Sequence, residues 1–347
     1  MKKTLAALIV SAVAASAANA AVVYDNEGTK VELNGSLRVI MEKADKKEYD
    51  AANHSTKKSN SALRNAGSRF GITVKHNLDN DFYALGRVEF RFDDTTSRDK
   101  FGGVYAKRAY VGLGSKAIGE LKFGRQLTIA DDLTQANDYD YGFIPKEEYI
   151  PTAGTGVVRY DYKGIEGLQL SANYNFGQTN DEKGNPLKPG IKNAYAVGAL
   201  YTAGDLDARL AYGHTNFETG ASYAHRLDGV LASLGYKFGD FTLTGDFGYA
   251  HAKKNDDKTN KFYVAPGFAY QVLPASKVYG NYLYERVKGE NTKDKTHGFL
   301  LGADYKLHKQ VVLFVEGKYV TTKEYVNDTY DGKTKDRAIG VGMRVFF

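Results

Sequence analysis

Segment after segment of this chain alternates with a period of two, apolar on one face and charged or polar on the other. At the C-terminal end Ile339, Val341, Met343, Val345 and Phe347 share one side of a strand, and Ala338, Gly340, Gly342 and Arg344 share the other. Residues 30–42 place Val31, Leu33, Leu37, Val39 and Met41 against Glu32, Asn34, Ser36, Arg38 and Glu42. Residues 68–79 set Phe70, Ile72, Val74 and Leu78 against Arg69, Thr73 and Lys75. Across Asn80 and Asp81, Phe82, Ala84, Val88, Phe90 and Phe92 then oppose Tyr83, Arg87, Glu89 and Arg91. A packed core does not accept such charged faces unpaired. A wall between lipid and water does. The pattern therefore predicts an all-β fold, a transmembrane antiparallel β-barrel of about sixteen strands enclosing an aqueous channel.

The first twenty residues read as an export signal. Lys2 and Lys3 start it, a short apolar run follows from Leu5 to Val13, and Ala18-Asn19-Ala20 is an A-x-A cleavage site. Residues 1–20 are thus expected to be removed and 21–347 to form a single barrel domain. Without Lys2 and Lys3 the formal charge falls from +6 to +4, a mild excess that gives no reason to expect a nucleic-acid partner. Beyond the signal no stretch approaches 18 uninterrupted apolar residues and mean hydropathy is −0.45, which excludes a helical membrane protein but not a barrel. With no cysteine there is no disulfide framework, thiolate metal site or cysteine nucleophile, and no cofactor is expected. The 26 tyrosines and 18 phenylalanines suit a membrane–water boundary, although β-propensity favours the same residues.

Connections alternate in length, short near 78–81, 116–119, 164–167, 203–205, 239–240, 273–276 and 307–309. They are long and polar at 43–65, 95–102, 178–192, 215–226, 253–261, 288–296 and 322–336. Short turns at one end and long loops at the other are an outer-membrane signature. One connection differs. Residues 126–156 carry Asp131, Asp132, Asp138, Asp140, Glu147 and Glu148 with Lys146 as the only base, together with Leu127, Ile129, Leu133, Phe143 and Ile150, which need something to pack on. Thr128 with Asp131 three residues on is a weak capping signal. An acidic loop with apolar feet is expected to fold into the lumen and narrow it; the plainer alternative is an external loop like the others.

At this point the chain resembles the Gram-negative general porins, trimeric sixteen-stranded diffusion channels. The stretches that carry the resemblance are Val31-Glu32-Leu33-Asn34-Gly35-Ser36-Leu37-Arg38, Gly67-Ser68-Arg69-Phe70-Gly71, Ala109-Tyr110-Val111-Gly112-Leu113, Phe123-Gly124-Arg125-Gln126, Val158-Arg159-Tyr160-Asp161-Tyr162 and the terminal Phe347. The resemblance implies that the third external loop, 126–156, is the constriction loop and faces basic residues on the opposite wall. Arg38, Arg69, Lys107 or Arg108, Arg125 and Arg159 fall at the corresponding positions, with strand parity favouring Lys107. The loop departs from the Pro-Glu-Phe-Gly-Gly pattern of some members. Phe347 matches the terminal aromatic by which such barrels are recognised for assembly. The resemblance also implies an outer-membrane location in a Gram-negative bacterium, a homotrimer, contact with membrane lipid and lipopolysaccharide, and passage of ions and small hydrophilic solutes.

Opposed loop acids and wall bases would set up a transverse field at the narrowest point, ordering water and penalising apolar solutes. The plainer reading is that lumen arginines only wet the wall and are neutralised by neighbours such as Glu89 and Asp161. A barrel enzyme is the main rival, but the chain has no G-x-S-x-G and no H-E-x-x-H, and its seven histidines are scattered. A substrate-selective channel would need a polar or aromatic track, for which Tyr83, Tyr263 and Tyr279 are the only hints. An adhesive surface is a third alternative, with Lys46, Lys47, Lys57 and Lys58 charged enough to attract polyanions.

Overall fold

The structure, a computed structural model, describes residues 20–92, 101–218, 225–254 and 257–347. The expected export signal and parts of the 95–102, 215–226 and 253–261 connections lie outside the described residues. The strands are β1 (Ala21–Asn26), β2 (Thr29–Tyr49), β3 (Ser55–Asn65), β4 (Arg69–Asn77), β5 (Phe82–Phe92), β6 (Val104–Ser115) and β7 (Gly119–Leu127). After the long third loop come β8 (Ala153–Ile165), β9 (Leu168–Asn175), β10 (Gln178–Asn180), β11 (Pro186–Ala203), β12 (Leu206–Phe217) and β13 (Arg226–Phe238). The last are β14 (Phe241–Lys254), β15 (Asp257–Leu273), β16 (Ser276–Lys288), β17 (Thr292–His308), β18 (Val311–Val326) and β19 (Thr329–Phe346).

Each strand pairs antiparallel with its neighbours, and β19 returns to β2 from Lys333 opposite Tyr49 to Phe346 opposite Ser36, which closes the ring. Three staves are built from two pieces. β3 and β4 cover successive parts of β2, β9 and β10 both lie on β11, and β1 takes up the line of β19 where that strand runs out. The nineteen segments thus make a closed sixteen-strand barrel. Phe347 sits at the seam: its backbone exchanges hydrogen bonds with Gly35, at 2.8 and 3.1 Å, and its ring lies where a Cβ on residue 35 would sit, 2.6 Å away.

Alternation holds around the ring. Leu37, Met41, Val111, Leu301 and Ile339 lie exposed on the outside, while the residues between them face the lumen. The long polar connections differ from expectation. In 43–65 strand β2 continues to Tyr49 and β3 begins at Ser55, and in 322–336 the ladder runs to a tight turn at Asn327-Asp328, both with positive φ (49° and 61°). Beyond the bilayer both faces of a strand are wet. Hydropathy no longer alternates there, but the backbone still has to pair its donors and acceptors.

Candidate functional site: the lumen constriction

Residues 128–152 leave the wall after β7 and cross the lumen before β8 resumes. Thr128 starts the crossing: its hydroxyl donates to the Pro151 carbonyl at 2.6 Å and accepts from Ala130 N at 3.2 Å, so entry and exit are tied together. The following 3₁₀ turn (Ile129–Leu133) buries Ile129, Ala130 and Leu133, and Tyr149 and Ile150 are buried as the loop leaves. These apolar feet pack on Ala196, Ala211, Leu231, Ala250 and Ala265 of the wall. Small wall residues make room for them. A Cβ on Gly229 would overlap the Tyr149 carbonyl oxygen, and one on Gly213 would stand 2.5 Å from Ile150.

The middle of the loop is held by acids of the wall as well as by its bases. Asp246 accepts from Gln135 N (2.8 Å), Ala136 N (3.0 Å) and the Thr134 hydroxyl (3.0 Å). Glu316, 1 % exposed, accepts from three consecutive backbone amides, Tyr139 N at 2.6 Å, Asp140 N at 2.9 Å and Tyr141 N at 2.6 Å, and from the Tyr279 hydroxyl at 2.8 Å. Tyr139 stacks on Phe314 with ring centroids 4.6 Å apart and donates to Asp304 at 2.7 Å. Tyr141 donates to Glu42 at 2.9 Å. A carboxylate that collects several N–H donors fixes a loop as firmly as a cap fixes a helix end.

The six loop acids separate by partner. Asp132 pairs with Arg159 at 2.6 Å and Asp140 with Arg64 at 2.5 Å, so both are engaged by wall arginines. Asp131 takes Lys146 of the loop itself at 3.2 Å, and Glu148 takes Lys261 at 3.2 Å. Glu147 is exposed with no partner among the described residues. Asp138 touches lumen water yet is ringed by protein. Its carboxyl is pushed up to about 6, first by that enclosure and then by nearby Glu316, with Arg344 pulling the other way.

Opposite the loop the register sets like charges side by side. Arg344 of β19 lies directly across from Arg38 of β2, and Arg69 of β4 directly across from Arg91 of β5. Glu89 is the acid that serves this group, bonding Arg87 and Arg91 at 2.9 Å and approaching Arg69 at 3.8 Å. Arg38 instead donates to the Ser36 hydroxyl at 2.7 Å and has no carboxylate within 4 Å among the described residues. Arg344 reaches across to the Tyr139 carbonyl and so joins the wall to the loop.

Of the expected basic residues, Arg38 and Arg69 belong to this row. Lys107 and Arg108 both reach the lumen, Lys107 through its pairing with Glu182. A bulge opposite Glu89 and Phe90 gives Arg108 the buried lumen position, and Lys107 sits at the irregularity. Arg125 also sits at a bulge and donates to the Ala106 and Glu182 carbonyls at 2.7 and 3.2 Å. Arg159 is buried across the loop's root, held by Asp161 at 3.0 Å as well as by Asp132. The row members that the positional matching passed over are Arg91 and Arg344. Both have inward parity in the sequence, and their register with Arg69 and Arg38 was the missing signal.

The sequence profile described as Gram-negative porin matches residues 4–325. A "Major outer membrane protein" of Pasteurella multocida strain Pm70 is 33% identical over 377 residues and covers 100% of both chains. Among solved structures, OmpT of Vibrio cholerae in a trimer form superposes with TM-score 0.68 at 18% identity, covering 92% of this chain and 100% of that one. An anion-selective porin from Comamonas acidovorans does so with TM-score 0.64 at 18% identity and the same two coverages. With a closed sixteen-strand wall, a water-facing charged interior and a loop folded across it, this chain belongs to the Gram-negative porin family and forms an outer-membrane channel for passive diffusion.

Proposed function

We propose that the constriction selects by charge, and that permeant anions are favoured over cations of the same size. The observation that carries this reading is the arginine row Arg344–Arg38 and Arg69–Arg91, four guanidiniums on adjacent staves, of which Glu89 serves Arg69 and Arg91 while Arg38 and Arg344 have no carboxylate within 4 Å among the described residues. Across the gap, Asp132 and Asp140 are already neutralised by arginines, and the carboxylate of Glu316 is directed at loop amides. Asp138, whose carboxylate feels Arg344 of the row, and the exposed Glu147 are left as loop acids outside any ion pair among the described residues. The field therefore runs from a strongly basic wall to a weakly acidic loop, which orders water and favours small polar anions. Solutes pass by diffusion past Arg38, Arg69, Arg108 and their neighbours, with no chemistry performed on them.

The test is the reversal potential of single channels in planar bilayers under a KCl gradient. Replacing Arg38, Arg69 and Lys107 by alanine should move it toward the potassium potential and lower conductance at low salt. Unchanged conductance together with unchanged selectivity would remove the charged-constriction reading.

The same proposal takes the barrel to be a homotrimer seated among phosphorylated outer-leaflet glycolipids such as lipopolysaccharide. The outer rim carries rows of like charge, with Asp45 on the lipid side pairing with Lys57 at 3.4 Å and Arg337 at 2.8 Å. On the lipid side Lys295, Lys323 and Lys333 stand in register across β17, β18 and β19, and Lys335, Lys47 and Lys57 do so across β19, β2 and β3. On the intervening lumen-facing rung Asp294 opposes Glu324. Like charges directly opposed cost stability unless an anion lies between them, and these rows stand just beyond Phe299 and Tyr319, where lipid phosphates lie. Exchange of the wild-type and lysine-to-glutamine barrels between nanodiscs with and without lipid A phosphates would measure that contact.

A further inference from the structure

A second segment reaches the basic wall besides the constriction loop. Between β10 and β11, residues 181–185 form a turn organised by Asp181, whose carboxylate accepts from Lys183 N and Asn185 N at 2.8 Å each and from the Asn185 side-chain amide at 2.9 Å. Gly184, at φ +90°, lets the chain reverse there. Gln178 fixes the root of the hairpin to β8 by accepting from Thr155 N at 2.9 Å. At the tip, Glu182 lies on the lumen wall. Lys107 Nζ and Arg108 Nη1 both donate to its carboxylate, the latter at 3.2 Å, and Arg125 donates to its main-chain carbonyl at 3.2 Å.

We propose that Glu182 is a detachable counter-ion that determines how many cations of the wall a permeant anion meets. The contrast with the constriction loop carries the argument. That loop is seated by the buried side chains of Ile129, Leu133 and Ile150, whereas the described contacts of the 181–185 tip with the wall are polar or charged. The side chains of Glu182 and Lys107 are each 18% exposed, so lumen water reaches that pair, while the Arg108 side chain is 8% exposed. A carboxylate held at the end of a hairpin by polar contacts alone leaves its site when salt rises or when a permeant anion competes for the same cations. With Glu182 seated, one negative charge lies within reach of Lys107 and Arg108. With it withdrawn, those two and Arg125 extend the arginine row sideways onto β6 and β7. The specificity of the pore for small anions such as chloride or inorganic phosphate is then set in part by a residue outside the constriction loop.

The inference rests on the charged-constriction reading, and single-channel reversal potentials of the full-length channel in a KCl gradient separate the two. In about 0.1 M KCl, Glu182→Gln should raise the chloride-to-potassium permeability ratio about threefold, and in 1 M KCl, where the screening length is about 3 Å, the difference should vanish. The charge swap Lys107→Glu with Glu182→Lys re-forms the clasp at unchanged lumen charge and should return the ratio to the wild-type value. Glu166→Gln, in the short turn at the far end of the barrel, makes the same change of net charge and should leave the ratio alone. Glu182→Asp retains the charge with a shorter reach, and should shift the ratio in the same direction by less, which keeps the test open if the glutamine variant does not assemble. No shift in Glu182→Gln, or an equal shift in Glu166→Gln, overturns the inference. If Arg69→Ala moves the ratio while Glu182→Gln does not, the counter-ion role fails alone; if neither moves it, the constriction reading has failed.

Discussion

Replacing Glu316 by glutamine should release the middle of the constriction loop while leaving the barrel standing. Glu316 Oε1 accepts from Tyr139 N and the Tyr279 hydroxyl, and Oε2 from Asp140 N and Tyr141 N, at 2.6 to 2.9 Å. Glutamine keeps one oxygen, so two of the four bonds are lost, and its amide N–H₂ then points at backbone N–H groups that now lack an acceptor. Each bond to a charged group contributes about 1.5–3 kcal/mol and each stranded donor costs about 1–3 kcal/mol. Removing a buried charge offsets part of that loss. The net change is about 4 kcal/mol, a shift of about a thousandfold between seated and released loop at about 1.4 kcal/mol per decade. The inter-strand ladder of β17, β18 and β19 does not pass through this side chain. Thermal unfolding of the barrel should therefore move little, while protease cleavage within residues 137–143 and open-channel current noise should both rise sharply. If the Glu316→Gln channel is as quiet and as protease-resistant as the wild type, the carboxylate is not what holds the loop.

Gly229→Ala places a methyl group against the Tyr149 backbone and should broaden single-channel conductance, whereas Gly245→Ala, which meets nothing within 4 Å, should behave as wild type. Asp138 gives a pH dependence: with its carboxyl near 6, lowering the pH from about 7 to about 5 discharges it, and the reversal potential should move toward that of chloride. Because its folded value lies above the ordinary 3.8, the fold favours the protonated form, so the small contribution of this group to loop stability is lost as pH rises from about 4 to about 6. Arg159→Met leaves Asp132 without its guanidinium while Asp161 keeps Lys122 at 2.8 Å, and should cost about 1–3 kcal/mol, read as a drop in the unfolding midpoint in denaturant. Phe347→Ala removes the ring at the seam with Gly35 and should lower the yield of assembled barrel, measured by heat-modifiable gel migration.

The wall was legible because each stave reports its own surroundings. Phe70 and Ile72 on one side of Arg69 and Thr73 need no partner to say which way they face. The infolded loop was legible through Ile129, Leu133 and Ile150, apolar residues in an acidic segment. What seats its middle was not, because the acid that collects the amides of Tyr139 to Tyr141 lies 175 to 177 residues away on β18. Lys107 and Arg108 show a different limit. Parity counted along the sequence assumes an unbroken ladder, and one bulge brings two successive residues to the lumen. The hairpins at 43–65 and 322–336 show a third, since pairing outlasts hydropathy once both faces are wet.

One set of lumen arginines is neutralised by spacing on its own strand, while Arg64 and Arg108 take their acids from other segments. Residues i and i+2 share a face, so an acid two positions away lies beside its arginine from the moment the strand forms. Arg159 with Asp161, Arg209 with Asp207, and Arg87 and Arg91 with Glu89 are all built this way. Arg38 has Ser36 and Ile40 at its two such positions, Arg69 has Gly67 and Gly71, and Arg344 has Gly342 and Phe346. None of these can neutralise a guanidinium. Each of the three must find its counter-charge across the sheet or in the water of the lumen, and Arg38 finds none within 4 Å. At Arg159, Arg209, Arg87 and Arg91 the charge is thus cancelled within the strand, and at Arg38, Arg69 and Arg344 it is not. A sequence selected only to keep a wall wet would have no reason to strip the acids from those three positions, all on the staves opposite the loop. Placing an acid back beside Arg38, as Ser36→Asp, should therefore lower anion preference more than the same acid placed beside Arg209, which already has one.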